Sequence, residues 1–397
     1  MNVLRGGQVF LSGKLVLTEI AFDEEGIKAL GDDLDGEPVD CSGRIILPGM
    51  IDAHVHFRDF QQAYKEDWQT GGRAAIQGGV TTVLAMPNTD PPITTVKMVR
   101  EQWRRAERSP VTGGVFGGIT PENLPRLPAL APHVTAFKLY MGETTGSLHI
   151  ARPSVQKEAF RRVAETGKVL AVHAQQLDSS SEASDLEVAL EYALQRDVKL
   201  HLCHVRTREG IELAQDAKRD GLDVTIETCP HYLFFTERDL TEKGAWLKVN
   251  PPLATEEDRE HLWWALREGY VDILASDHAP HTIEEKSRPF EKAPYGLPGV
   301  ETGLPLMLDA TQKKRLTLRR LIEVFSTRPA ERFSLTQKGR IEVGCDADFV
   351  IVDLERRDRV SQEMIASKCG WSPFEGFELV GWPVMTLVRG KRAFEAK

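Results

Sequence analysis

Cysteine is scarce in this chain. There are five, Cys41, Cys203, Cys229, Cys345 and Cys369, odd in number and widely scattered, with no CxxC pair. That spacing argues against a disulfide framework and is natural to a reducing cytoplasm. Positive charge is in deficit as well. Lys and Arg number 50 against 59 Asp and Glu, a formal net charge of −9. A net field of that sign argues against a nucleic-acid partner or an anionic membrane, and leaves room only for a local basic pocket. No apolar run approaches the roughly 20 residues of a bilayer span. The N-terminus shows no basic segment followed by a long apolar stretch, so no signal peptide is expected. Fixed-period repeats and low-complexity tracts are also missing. What remains is 41% hydrophobic and 27% charged over 397 residues. This is an ordinary globular composition, enough for one large domain or a large domain with a smaller partner.

The two ends of the chain read alike. Residues 1–45 alternate short β-rich runs with turn residues. Asp348–Asp353 and Val384–Gly390 are β-rich runs bounded by Gly, Asp and Pro. The expectation is that segments 1–45 and 336–397 pair into one small β-sandwich domain around a central insert, 46–335. The insert has another rhythm. Eight apolar runs, beginning near positions 44, 81, 114, 134, 168, 199, 223 and 271, alternate with helix-like stretches such as 153–166, 182–195, 207–220 and 255–268. Several stretches open on Ser, Thr or Pro with early acidic residues, as helix starts do. Alternating strand and helix implies a parallel sheet, and eight strands close a (β/α)8 TIM barrel. The fold class is therefore α/β.

In such a barrel, chemistry gathers at the C-terminal ends of the strands. Polar residues recur there: His54, His56 and Arg58 at the first, Asn88 at the second, Lys138 on the fourth, His173 at the fifth, His204 at the sixth, His231 after the seventh, and Asp277 with His281 at the eighth. Six of the eleven histidines fall at these places. Any one of them alone reads as a core or surface histidine, but as a set they point to a site.

His54 and His56, two apart on a strand, face the same side and suit one metal ion. Imidazole and carboxylate ligands suit zinc, and also manganese, cobalt or iron. Lys138 has two readings. It is either an ammonium paired with a carboxylate or snorkelling outward, or an amine that adds CO₂ and becomes an anionic carbamate able to bridge two metals. Two metals acidify a water and polarise a carbonyl. Asp277 could then ligate, accept the proton of the attacking water and pass it to a leaving nitrogen.

Arg58 is a carboxylate clamp or a partner of Asp59 or Asp67. Asn88 and Asn250 offer donor and acceptor groups or are turn residues. Pro298-Gly299 permits close backbone approach to a ligand or is a simple turn. Cys203, Cys229, His133, His149, His201, His261 and His278 receive no role.

These residues resemble the amidohydrolase superfamily and, within it, the dihydroorotase family. The motifs that carry the resemblance span nearly the whole chain: Asp52–Arg58, Lys65–Trp68, Gly78–Thr82, Met86–Thr89, Phe137–Tyr140, His201–Val205, Cys229–His231, Asn250–Pro252, Ser276–Thr282, Gly344–Asp348 and Ser372–Glu375. The resemblance implies that His54, His56 and Asp277 hold one zinc ion, that His173 and His204 hold a second, and that N6-carboxylated Lys138 bridges them. It implies that Arg58, Asn88, Asn250 and His281 bind substrate, with the backbone at Pro298 and Gly299 closing on its ring. The implied reaction is reversible cyclisation of N-carbamoyl-L-aspartate to L-dihydroorotate in pyrimidine synthesis. A homodimer is implied too, and a complex with another enzyme of that pathway is left open.

Departures from the family pattern lie at the rim. Asp59-Phe-Gln61 stands where Glu-Pro-Gly is frequent, the stretch between His173 and His204 is short, and Gly142–Gly146 reads as part of a lid. Three other readings stand beside the first. Allantoinase and dihydropyrimidinase or hydantoinase share the metal chemistry, but their substrates lack the ring carboxylate that would occupy Arg58. A non-catalytic homologue acting as a structural partner should have lost ligands, and all six are present.

Overall fold

The computed structural model describes residues 1–142, 146–175 and 181–396. The eight apolar runs of the insert form eight parallel strands: Met50–Val55, Val80–Ala85, Thr112–Gly118, Ala136–Tyr140, Leu170–His173, Leu200–Leu202, Val224–Thr228 and Ile273–Leu274. Each pairs with the next in chain order. The eighth strand is short, and the barrel is closed just beyond it. Val55 and His278 form a parallel bridge, and the His56 amide donates to the His278 carbonyl at 2.7 Å. This is the expected TIM barrel.

Burial explains why the runs are continuous rather than alternating. Every residue of Met50–Val55 and Val80–Ala85 is buried, since helices cover the outer face and side chains fill the inner one. Helices intervene at Trp68–Gln77, Val96–Ala106, Pro153–Ala164, Glu182–Leu194, Arg208–Arg219 and Glu256–Glu268. Their starts follow local chemistry: the side chains of Asp67, Thr95, Ser181, Thr207 and Thr255 each accept from a first-turn amide.

The two ends of the chain meet in one sheet, and the first apolar run divides between the two parts: Ile45–Pro48 joins that sheet, where the insert was expected to begin at residue 46, and Met50–Val55 enters the barrel. A six-stranded sheet runs Lys391–Glu395, Glu378–Val388, Phe349–Arg359, Ile45–Pro48, Gln8–Leu11, Lys14–Leu17, so three C-terminal strands join three N-terminal ones where Phe349–Arg359 pairs with Ile45–Pro48. A four-stranded sheet of Gly26–Gly31, Glu19–Asp23, Asn2–Arg5 and Glu37–Asp40 comes from the N-terminal segment alone. Leu4, Val9, Ile20, Phe22, Ile46, Phe349 and Ile351 form a core between the sheets, with Phe22 and Phe349 edge to face at 5.5 Å.

One excursion matters for the site. Between Phe349–Arg359 and Glu378–Val388, the chain leaves the sheet and packs Ser367, Trp371 and Phe374 as buried residues. Trp371 Nε1 donates to the His281 carbonyl at 2.8 Å, behind the loop that follows the eighth barrel strand. Among the described residues, no helix is long and apolar enough to cross a membrane. All five cysteines are free and buried. Residues 143–145 of the expected lid lie outside the described residues.

Candidate metal centre

The strand ends open on a cavity of about 310 Å³. All six expected ligands line it: His54, His56, Lys138, His173, His204 and Asp277. Every one of them is at least nine-tenths buried. The geometry divides them into two groups. His54, His56 and Asp277 present ligand atoms within 4.8 Å of one another. Asp277 Oδ1 is 3.0 Å from His56 Nε2 and 3.3 Å from His54 Nε2. On the other side, His173 Nδ1 faces His204 Nε2 at 2.9 Å. Lys138 Nζ meets no carboxylate among the described residues; its partner is Cys203 Sγ at 2.8 Å. The salt-bridged and snorkelling readings of Lys138 are therefore not what the fold adopts.

The electrostatics suit a cation. Burial disfavours the imidazolium of His54, but Glu227 and Asp277 on either side outweigh it and lift its pKa to about 10. Positive charge is thus wanted at His54, and a metal ion can supply it in place of the proton. Burial takes His56 down to about 4 and His173 to about 3, and His204 well below the ordinary imidazole value. These three are neutral and can offer lone pairs. The carboxyl of Asp277 is held below its usual range: burial opposes its charge, and His54 and His56 overcome that. This donor set fits a pair of borderline divalent ions.

Backbone conformation aims two of the ligands. His204 has φ 45° and Asp277 φ 46°, left-handed values that cost a non-glycine residue roughly 1–3 kcal/mol. The surrounding barrel holds both turns in place.

Arg58 also lines the cavity and is buried. Its expected alternative partners are engaged elsewhere. Asp59 pairs with Arg105 at 2.7 Å, and Asp67 pairs with Lys368 at 2.6 Å. Arg58 Nε donates to the Pro280 carbonyl at 3.2 Å, and Nη2 lies 3.0 Å from His281 Nε2. Asn88 lines the cavity with its Oδ1 2.6 Å from His56 Nδ1, and Asn250 lines it with Nδ2 3.5 Å from His173 Nε2.

Three expected substrate contacts sit differently. His281 is fully buried behind Arg58, between Lys65 Nζ at 3.0 Å and the Tyr295 carbonyl at 2.9 Å. Pro298 and Gly299 border a separate small void beside His278, and the nearby Gly296 lines the main cavity instead. His231 lies on the short helix Pro230–Phe234, buried but not among the lining residues.

Sequence reasoning passed over several groups. Glu227 is fully buried beneath the centre: Oε1 is 2.8 Å from His54 Nδ1 and accepts from the His204 amide at 3.1 Å, while Oε2 is 3.0 Å from His201 Nε2. A carboxylate at the inner end of an apolar strand was the available signal. Cys203 and Tyr140 also belong to the site, as do Lys248, Glu291 and Tyr295 on its outer wall. No periodicity marks the 290s loop.

Residues 45–393 match the sequence profile of the amidohydrolase family. A protein named dihydroorotase from Halobacterium salinarum is 37% identical, with 100% of this chain and 97% of that protein covered. One of the same name from Brevibacillus brevis is 35% identical, with 99% of each covered. Among solved structures, the L-hydantoinase (dihydropyrimidinase) of Arthrobacter aurescens superposes with a TM-score of 0.94 at 30% identity, over 99% of this chain and 96% of that one.

Proposed function

We propose, from the premise that this chain belongs to the amidohydrolase family, that it is a dihydroorotase. It opens the cyclic amide of L-dihydroorotate to N-carbamoyl-L-aspartate and closes it again. The observation that carries the substrate assignment is Arg58. It is a buried guanidinium on the cavity wall, with no carboxylate partner of its own among the described residues, and so is suited to a carboxylate on the ring.

In this reading His54, His56 and Asp277 would hold one zinc ion and His173 and His204 the other, with Lys138, carboxylated on Nζ, completing the ligand set. Bound there, the two ions supply acidity to a water and polarise the ring carbonyl. The chain's own residues do the rest. Arg58 and Asn88 orient the ring carboxylate, and Asn250 faces the ring from the opposite wall. His281 holds Arg58 from behind in this structure. Asp277, kept ionised by its histidine neighbours, accepts the proton of the attacking water and delivers it to the ring nitrogen as the amide C–N bond breaks. In the reverse direction it takes that proton back. Glu227 keeps the Nδ1 side of His54 engaged, which turns Nε2 toward the cavity. A cytoplasmic homodimer is part of the same proposal.

The structural kinship with hydantoinases sets the test. Purified, zinc-loaded protein is assayed against dihydroorotate, dihydrouracil, hydantoin and allantoin. Turnover of dihydroorotate well above the others is expected. Turnover of hydantoin or dihydrouracil with none of dihydroorotate would assign the chain to its structural neighbours' chemistry instead.

A further inference from the structure

Lys286 ends the short helix Ile283–Lys286 that follows the metal-centre loop, and its side chain is fully buried. Its three ammonium donors meet three backbone carbonyls: Lys248 at 3.1 Å, Pro294 at 3.2 Å and Gly296 at 3.1 Å. It forms no ion pair among the described residues, and the Trp371 ring covers it, with Nζ 5.7 Å from the ring centre. Burial, with Lys248 nearby, pulls this amine down to about 7. A buried cation without a counter-charge is costly, so its three-way bonding calls for an account.

The carbonyls belong to two segments that line the cavity. One is Lys248–Asn250, the other Glu291–Gly296. The segments also bond directly: the Gly296 amide donates to the Lys248 carbonyl at 3.0 Å. The Tyr295 carbonyl faces His281 Nε2 at 2.9 Å, and His281 in turn touches Arg58. One ammonium therefore joins the loop carrying Asn250 to the loop carrying Tyr295, and through His281 to the adjacent Arg58 guanidinium.

We propose that Lys286 is a positioning residue for substrate: its buried three-donor fork fixes the spacing of the two cavity walls that receive the ring, without touching the ring or the metal ligands. This rests on the substrate reading above and adds to it a residue that sets ring fit. Lys286→Met removes all three donors and keeps the stem.

The expected result with zinc-loaded enzyme is a rise in KM for dihydroorotate of about tenfold or more, with kcat changed less than about threefold. Zinc content should match the unmodified protein. An unchanged KM would overturn the proposal, and so would a fall in kcat that tracks loss of zinc. Should the variant fail to fold, or the unmodified protein not turn over dihydroorotate, hydrogen exchange on the unmodified holoenzyme decides the point. The Gly296 amide should be protected to the level of the barrel strand Leu170–His173. Exchange at the rate of an exposed loop would mean that the fork does not hold the wall.

Discussion

His54 Nδ1 sits 2.8 Å from Glu227 Oε1, a carboxylate buried one layer below the cavity. The same carboxylate braces His201 and the His204 amide. Glu227 thereby ties together ligands drawn from opposite halves of the barrel, and its charge makes His54 more basic. Glu227→Gln keeps the shape and removes that charge. Metal affinity, read by chelator competition, should fall about 10–100-fold, the usual cost of losing such a support, while the fold persists. Unaltered affinity would mean that Glu227 only fills space.

Arg58 is expected to act on substrate rather than on stability, because Asp59 and Asp67 are already paired with Arg105 and Lys368. Arg58→Met should raise KM for dihydroorotate. The loss of hydrogen bonds to a charged group, about 1.5–3 kcal/mol, corresponds to roughly 10–150-fold. Steady-state kinetics checks this. An unchanged KM with a lower melting temperature would assign Arg58 a structural role.

Asp277→Asn removes the proton carrier and one anionic ligand while keeping the side chain's size. The expected loss in kcat is about 10²–10⁴-fold, with circular dichroism unchanged. Full activity would place the proton transfer elsewhere, and the neighbouring His231, buried and unused in this account, would be the next residue to test.

Stability should depend on pH through Glu301. This buried carboxyl accepts from the Ala366 amide at 2.7 Å and lies near Glu66. Burial raises its pKa from 4.5 to about 8, against the amide's pull and with Glu66 adding to the rise. A raised pKa means the folded state holds its proton longer than the unfolded one. Its contribution is therefore complete below pH 4.5 and is lost progressively as pH rises through about 8. Relative to Glu301→Gln, the unmodified protein should lose melting temperature across that window. Parallel pH profiles for the two would contradict the assignment.

Much of this was legible in the chain. Eight apolar runs gave the barrel because each strand is buried on both faces, and polar residues at their ends stood out against that background. The pairing of the termini followed from similar β-rich runs on either side of the insert. Glu227 and Lys286 were harder to see. Their roles come from partners distant in the chain, His54 for the first and the 248 and 294–296 carbonyls for the second. The positions of His281, Pro298 and Gly299 depend on how the loop after the eighth strand folds against Trp371 and Tyr295. No spacing rule encodes that contact.

The central claim is a paired-metal site that depends on Lys138. Its most direct test is zinc content per chain after loading in bicarbonate and dialysis, for the unmodified protein beside Lys138→Ala. The account predicts about two ions per chain in the first and a clear deficit in the second. Equal zinc in both, or none in either, would contradict it.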